Sequence, residues 1–170
     1  MDSELAANLE SLHPDAFGWA LHCCDGDASR AEDVLQNAYL KLVQQRIRFE
    51  GRSTFKTWWF GVIRLTAHEE FRRLRFRESL LGRLMASFTE ETHPPPSRQL
   101  ELNERAAELR TALGKLPARQ AEVLHLVFYQ DLTLSEAAVV MRVSVGSTRQ
   151  HYERGKARLR ELLPNLHRHE

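Results

Sequence analysis

The chain lacks the features that mark secreted, membrane-inserted or metal-binding proteins. Its two cysteines, Cys23 and Cys24, are adjacent, which suits neither a disulfide framework nor a zinc site. No apolar run approaches the roughly 20 residues of a membrane span, and the acidic N-terminus lacks the basic start and apolar core of a signal peptide. These absences predict a cytoplasmic protein with no membrane insertion of its own, no metal site and no other cofactor.

Glycine and proline are also sparse, at 8 and 6 of 170 residues, and alternation of apolar and polar positions is nearly absent. A half-buried strand needs that alternation, so the predicted fold class is all-α. Residues 89–99 stand apart, because Pro94, Pro95 and Pro96 favour an extended spacer. We therefore predict two small helical domains, residues 1–88 and 100–170, joined by a proline-containing linker.

Signs of catalysis are missing as well. The eight histidines are scattered, no nucleophile is paired with a base, and no glycine-rich phosphate loop occurs. His22, Cys23, Asp25 and Asp27 have the chemistry of metal ligands, but ordinary residues at a helix end explain this set equally well. We expect a protein that is not an enzyme.

Charge, by contrast, is abundant and unevenly distributed, although the net charge is only +1. Residues 1–37 carry eight acidic and one basic residue, whereas residues 46–83 carry ten basic and four acidic ones. Residues 88–108 are acidic again, and residues 142–160 carry six basic residues against one acidic. Two basic segments suggest two places where a polyanion binds, unless both are only solvated helix faces.

The last basic segment has the pattern of two helices joined by a short turn. Thr133 and Glu136 form a capping-box pattern at the start of one helix, and Ser144 is a candidate cap for the next. In a helix-turn-helix protein the second helix enters the major groove of DNA. A helical hairpin with a solvated basic face explains the pattern equally well. The candidate DNA-contacting residues of the second helix are Arg149, Gln150, His151, Arg154 and Arg158.

Residues 29–42 predict an amphipathic helix, with Ser29 and Glu32 as a second capping-box pattern. Glu32, Asp33 and Gln36 fall off the apolar stripe and form an acidic face, which is either solvated or a surface for docking a protein. The stripe itself recurs at spacings of three and four and consists of Ala31, Val34, Leu35, Ala38 and Leu42.

Residues 46–77 combine aromatic and basic side chains. Ser53 or Thr54 is a candidate cap for a helix that runs to about Arg77. Part of the apolar content must be core, but aromatic residues interleaved with cations also stack on and neutralise single-stranded DNA. Trp58 is near enough to the loop for the two to form one pocket. The candidate DNA contacts in this pattern are Arg48, Arg52, Lys56, Trp58, Arg72, Arg73 and Arg75.

These segments, in this order, resemble bacterial RNA polymerase sigma factors of the extracytoplasmic-function (ECF) group, in the sigma-70 family. Residues 31–40 (AEDVLQNAYL) resemble the helix of the family that docks on polymerase. Residues 49–60 (FEGRSTFKTWWF), continuing to Arg72 and Arg73, resemble its promoter-melting segment. Residues 113–162 resemble its C-terminal helix-turn-helix. The likeness covers nearly the whole chain.

The resemblance implies a transcription initiation factor that binds core RNA polymerase, directs it to minus-10 and minus-35 promoter elements and melts DNA at minus-10. By position, Glu32, Asp33 and Gln36 would face the clamp helices of the largest polymerase subunit. The loop of residues 46–53, which includes Ser53, would capture a flipped minus-10 base, and Trp58 and Trp59 would lie near the point of strand separation. Minus-35 DNA would be faced by Arg149, Gln150, His151 and Arg154. An anti-sigma factor is a further implied partner.

Five positions depart from the pattern of the family. Leu65 stands where asparagine is usual, and Glu69 and Glu70 stand near a usual aspartate and histidine, which weakens the case for minus-10 base contacts from this helix. Glu153 and Gly155 also differ from the common residues, which predicts an altered promoter preference rather than lost binding. The alternative function is a stand-alone helix-turn-helix regulator with an N-terminal sensor, but a sensor has no need of a docking helix followed by an aromatic and basic segment.

Overall fold

A computed structural model describes residues 3–84, 109 and 111–163, and all regular structure in those ranges is helical. The all-α prediction is confirmed. The chain divides into two compact units, Met1–Ser97 and Arg98–Glu170. The predicted linker, residues 89–99, lies outside the described residues, so the predicted domain bounds stay predictions.

The described part of the N-terminal unit, residues 3–84, contains α1 (Ser3–Cys23), α2 (Ala28–Val43) and α3 (Phe55–Leu84). The apolar residues between Asp15 and Cys24 predict only a short helix there. Helix α1 is longer and has Pro14 inside it. Proline removes one hydrogen bond of a helix interior. Leu9 and Ala16 are buried on either side of it, so packing against the other helices holds the segment helical.

The turn between α1 and α2 supplies the N-cap of α2 in place of the predicted Ser29. Asp25 and Gly26 adopt left-handed conformations, with φ of 54° and 86°, and end α1. Asp27 is the N-cap of α2, and its Oδ1 accepts a hydrogen bond from the Arg30 amide at 3.1 Å. The predicted Ser29 capping box is therefore wrong. Aspartate caps a helix as well as serine does, and Asp27 precedes Ser29.

The core of this unit joins all three helices. Every residue of the predicted α2 stripe is buried, which confirms that prediction. Trp19 of α1 is fully buried, and its Nε1 donates a hydrogen bond to the Phe60 carbonyl of α3 at 3.0 Å. Trp59 is fully buried too and packs on Tyr39 of α2, with ring centroids 5.1 Å apart. Each such large side chain contributes about 1.5–3 kcal/mol by leaving water.

The C-terminal unit contains α4 (Ala118–Phe128), α5 (Leu134–Met141) and α6 (Val145–Leu162), preceded by a helical segment at 111–114. The sequence also predicts a helix over residues 100–113, but residues 100–108 lie outside the described residues. It further predicts a helix that starts at Leu116 and Pro117, with the proline in its first turn. Pro117 is instead the residue immediately before α4, one position earlier. Such a shift is within the ordinary uncertainty of a helix end.

Both caps predicted for the helix pair are confirmed. The Thr133 Oγ1 accepts a hydrogen bond from the Glu136 amide at 3.2 Å, and the Glu136 Oε2 accepts one from the Thr133 amide at 2.9 Å. The Ser144 Oγ accepts a hydrogen bond from the Ser147 amide at 3.1 Å. Arg142, with φ of 55°, ends α5, so residues 142–144 form a tight turn between α5 and α6.

Two further backbone features bear on stability. Gly155 of α6 is buried, and a Cβ atom at this position would lie 3.1 Å from Leu124 Cδ1 and 3.3 Å from Gln120 Cβ of α4. In addition, within residues 3–84 and 111–163, four residues other than glycine adopt left-handed conformations, and each of them follows a helix. They are Asp25, Gln45, Asp131 and Arg142.

Candidate nucleic-acid and protein-binding surfaces

The acidic face of α2 projects away from the core. Glu32, Asp33 and Gln36 are all exposed, whereas the apolar stripe on the other side of the helix is buried. Leu40 and Val43 continue this exposed face towards the C-terminal end of α2, at 51% and 66% exposure. Sequence reasoning missed these two residues, although their absence from the buried stripe was a usable signal. The exposed face of α2 is acidic near the start of the helix and apolar near its end. Exposed apolar side chains of this kind favour a surface that binds a protein over one that is only solvated.

A groove of about 500 Å³ lies beside this face, between α1 and α2. The Tyr39 hydroxyl and His13 Nδ1 are 3.0 Å apart within it. Burial raises the pKa of Tyr39. The groove is lined by Ala6, Leu9, Glu10, His13, Pro14, Tyr39, Leu42 and Val43.

The loop before α3 and the first turn of α3 form an aromatic cluster. Phe49 of the loop meets Phe55 edge-on and Trp58 at a tilt, with ring centroids 5.4 Å apart in both pairs. Phe49 is 39% exposed and Trp58 is half-buried, so the cluster is open to solvent on one side. The structure thus brings loop and helix together as expected, and it adds Phe49 to the predicted site residues.

Trp59 is not available to DNA. It was predicted to contact the minus-10 strand, but its side chain is 0% exposed and packed in the core. The prediction for Trp59 is therefore contradicted. Successive residues of a helix point about 100° apart, so when Trp58 faces the loop, its neighbour faces α2.

The basic residues around the aromatic cluster differ in their exposure and in the contacts that their side chains already make. Arg52 pairs with Glu50 at 2.9 Å but keeps 87% of its side chain exposed. Arg48 donates to Gln45 Oε1 at 3.0 Å. Lys56 is bound to Asp15 of α1 at 2.8 Å and is mostly buried, so it fastens α3 to α1.

The choice between two caps for α3 is resolved in favour of Thr54. Its Oγ1 accepts a hydrogen bond from the Thr57 amide at 3.2 Å. The half-buried Ser53 donates its hydroxyl to the Thr54 carbonyl at 3.2 Å. Ser53 therefore belongs to the loop that carries Phe49, next to the aromatic cluster.

The two unusual carboxylates of α3 face α2. Lys41 Nζ donates to Glu69 Oε2 at 2.6 Å and to the Thr66 hydroxyl at 3.0 Å. Glu70 accepts from Asn37 at 3.4 Å and pairs with Arg73 at 3.0 Å. The two glutamates that depart from the family pattern, at 69 and 70, therefore serve to link α3 to α2.

The arginines beyond these carboxylates remain on the surface of α3. Arg72, Arg73 and Arg75 are all exposed, although Arg73 is engaged with Glu70. Leu65 is half-buried, so much of its side chain is withdrawn from a ligand. The cationic end of α3 is therefore suited to phosphate contacts, which carry no sequence information.

Helix α6 presents most of its predicted residues to solvent. Thr148 and Gly155 face the core of the unit, whereas His151 is half-buried at the edge of the exposed face. The remaining four predicted residues are exposed, namely Arg149, Gln150, Arg154 and Arg158. A helix-turn-helix with a basic exposed second helix has the geometry that enters a major groove.

Glu153 also lies on this exposed side of α6. Its Oε1 is 3.2 Å from Lys156 Nζ, and that ammonium lies 4.4 Å above the Tyr152 ring. Tyr152 in turn stacks on Phe128 of α4, with ring centroids 6.0 Å apart. The carboxylate is therefore tied through two side chains to the supporting helix.

Burial raises the pKa of the Cys24 thiol. Burial of Cys24, reinforced by the nearby Asp27 carboxylate, raises its pKa to about 11 from an ordinary 9.0. Its thiol therefore stays protonated at neutral pH. Within residues 3–84 and 111–163, no three histidine, cysteine, aspartate or glutamate side chains are placed to hold a metal ion. None of the described helices is long and apolar enough to cross a membrane.

An exposed acidic face, an open aromatic and basic loop and a helix-turn-helix are together typical of a DNA-binding transcription protein. Comparison with known proteins narrows this class. The family model for sigma-70 region 2 matches residues 9–77, and that for sigma-70 region 4 matches residues 112–161. The chain belongs to the ECF group of the sigma-70 family and is an alternative sigma factor, which directs RNA polymerase to promoters.

Two ECF sigma factors are similar to this protein over nearly its full length. It is 28% identical to the ECF sigma factor SigX of Bacillus subtilis (strain 168), over 98% of this chain and 87% of that protein. It is 29% identical to EcfG of Rhodopseudomonas palustris (strain TIE-1), over 94% of this chain and 83% of that one.

Solved structures show the same fold. Bartonella quintana RpoE, in complex with the anti-sigma factor NepR, matches with a TM-score of 0.70 and 24% identity over 96% of this chain and 99% of that one. CnrH, in complex with the cytosolic domain of CnrY, matches with a TM-score of 0.63 and 21% identity over 96% of this chain and 90% of that one.

Proposed function

We propose that the N-terminal unit both docks on core polymerase and melts the minus-10 element. The exposed acidic face of α2, residues Glu32, Asp33 and Gln36, contacts basic clamp helices of the largest subunit. The open cluster of Phe49, Phe55 and Trp58 receives a base flipped out of the minus-10 strand. This cluster is the observation that carries the proposal, because stacking platforms beside cations are what single-stranded DNA requires.

The energetics of melting support this use of the cluster. Flipping a base costs a few kcal/mol of unstacking. One base stacked on an aromatic side chain returns about 1–3 kcal/mol. Phosphate contacts supply the remainder, and Arg48, Arg52 and the α3 arginines are the exposed cations that can make them. Lys56 contributes mainly by fixing the first turn of α3 to Asp15.

The C-terminal unit reads the minus-35 element with α6. Arg149, Gln150 and Arg154 are placed for base edges and phosphates, with His151 and Arg158 at the margin of the same surface. The protein works in the cytoplasm, without catalysis or cofactor of its own. An anti-sigma factor that covers the docking and DNA-binding faces is its expected regulator. In support, RpoE is found in complex with the anti-sigma factor NepR, and CnrH in complex with the cytosolic domain of CnrY.

Run-off transcription tests the proposal directly. Core polymerase is supplied with the purified protein and with fragments of its own genome, and the expected result is transcripts from a defined set of promoters. Permanganate footprinting should then detect unpaired thymines at minus-10, which Trp58→Ala should reduce. If no fragment is transcribed above the level of core alone, the proposed function is wrong.

The docking surface has a separate test. Asp33→Lys reverses one exposed charge and should weaken binding to core polymerase by about tenfold, which is ~1.4 kcal/mol. Glu161→Lys makes the same charge change on α6 and serves as the matched control for core binding. Calorimetry or fluorescence anisotropy without DNA measures both. Equal affinities for Asp33→Lys and the wild type would remove α2 from the interface.

A further inference from the structure

Glu153 occupies the centre of the outward face of α6. Successive helical residues turn by about 100°, and Thr148 and Gly155 mark the side that faces the core. The line opposite to them passes through residues 146, 150, 153 and 157. Among these, Gln150 and Glu153 alone carry long polar side chains. When α6 lies in a major groove, this central line meets the base edges.

The arginines of α6 stand on the two flanks of that line. Arg149 and Arg160 lie on one side, and Arg154 and Arg158 lie on the other. The major groove is about 12 Å wide and is bordered by one phosphate backbone on each side. Flanking arginines therefore reach phosphates, which position the helix, while the central residues read sequence. Glu153 is the single acidic side chain on the central line.

The surroundings of Glu153 hold its carboxylate in place. Lys156 bonds to Oε1 at 3.2 Å while lying over the Tyr152 ring, which is stacked on Phe128 of α4. A carboxylate has two oxygens and about four acceptor positions, so the contact with Lys156 leaves capacity for a donor from DNA. Lys156 also offsets part of the repulsion between this carboxylate and the phosphates.

An ionised carboxylate only accepts hydrogen bonds. The edge of cytosine in the major groove offers the N4 amino donor, whereas guanine offers two acceptors, and adenine has an acceptor beside its donor. We propose that Glu153 is a specificity-determining residue that selects a C·G pair within the minus-35 element. This inference rests on the proposed function, because it requires α6 to lie in the major groove of promoter DNA.

The experiment is a selection on holoenzyme, with the full chain bound to core polymerase. A promoter library randomised across the minus-35 element is offered to the wild type and to Glu153→Ala and Glu153→Gln. The wild type should enrich cytosine at one position of one strand. Glu153→Ala should lose that preference by about tenfold and leave the other positions unchanged. Glu161→Gln removes an exposed carboxylate two turns further along α6 and should keep the preference.

Three results would overturn the inference. If Glu153→Gln binds all sequences more tightly with unchanged preference, the carboxylate only repels phosphate. If Glu161→Gln changes the same base position as Glu153→Ala, the effect is not specific to residue 153. If the wild type transcribes but enriches nothing at minus-35, then α6 does not read sequence and the minus-35 role fails with the inference. Absence of any transcription would instead refute the proposed function as a whole.

Lys156 has a distinguishable positioning role. Lys156→Met releases the Glu153 carboxylate and should weaken the cytosine preference at the same position, whereas Lys156→Arg should restore it. Thermal melting of each variant shows whether the unit is still folded. A preference that survives intact in a folded Lys156→Met variant would contradict this role.

Discussion

Replacing Gly155 by alanine tests whether the contact between α4 and α6 is as close as the structure indicates. The added Cβ atom would lie 3.1 Å from Leu124 Cδ1 and 3.3 Å from both Leu124 Cγ and Gln120 Cβ. Leu124 is only 1% exposed, so its side chain has little space into which to turn. Gln120 Cβ is attached directly to the backbone of α4 and moves only when the helix moves. The two helices must therefore separate by a few tenths of an ångström.

Two opposing terms set the size of the effect. Alanine inside a helix is favoured over glycine by about 1 kcal/mol. An extra methyl group in a well-packed core costs about 1–3 kcal/mol. Since both tight neighbours belong to a buried leucine and to a backbone-fixed Cβ, we expect the packing term to prevail. Gly155→Ala should destabilise the C-terminal unit by about 1 kcal/mol, or roughly 4–8 °C in its melting temperature.

Urea and thermal unfolding followed by circular dichroism measure this difference. Gly146→Ala is the matched control, because it lies on the same helix and its added Cβ would meet only Ser144 Oγ, at an ordinary 3.8 Å. That variant should be neutral or slightly stabilised. If Gly155→Ala raises the unfolding midpoint as much as Gly146→Ala does, the close approach of α4 and α6 is refuted.

Three other expectations follow from contacts within the N-terminal unit. Lys41→Met should lower the free energy of unfolding by about 0.5–1 kcal/mol, because it removes the ion pair with Glu69 at 2.6 Å while water can still solvate the partly exposed carboxylate; an unchanged urea midpoint would contradict this link. The pKa of Cys24 is raised from 9.0 to about 11. The protonated thiol therefore contributes its full share to the free energy of unfolding below about pH 9, and this contribution is lost as the pH rises towards 11. The wild type should therefore lose ~1 kcal/mol more than Cys24→Ala between pH 8 and pH 10, and equal losses in urea melts would refute the shift. Tryptophan emission should change on binding a melted promoter, and Trp58→Phe should abolish that change while Trp59→Phe keeps it.

The features that the sequence predicted well are local ones, above all the helix caps. The caps at Thr133 and Ser144 depend on partners three residues away, so the pattern alone sufficed to place the starts of α5 and α6. The same reasoning failed at Ser29, because Asp27 offers an equally good acceptor two residues earlier. A cap pattern predicts that a helix starts nearby, but competition among adjacent acceptors decides the residue.

Contacts between helices were not predictable in the same way. Trp58 and Trp59 are chemically identical and adjacent, and which one is buried depends on how α3 packs against α2, where Trp59 meets Tyr39. Glu69 was recognised as unusual, but its partner Lys41 is 28 residues away on another helix. Such pairings depend on how the three helices cross, which no spacing along one helix reveals.

The left-handed residues that follow four helices have a consequence for engineering. An L-residue in this conformation costs about 1–2 kcal/mol, which glycine avoids and aspartate partly offsets through its own side chain. Gln45 and Arg142, with φ of 56° and 55°, have neither remedy. Glycine at either position should therefore add stability, by up to about 1 kcal/mol in a melting experiment. Because most substitutions destabilise, a chain that carries these glycines should tolerate more changes during directed evolution of new promoter preferences.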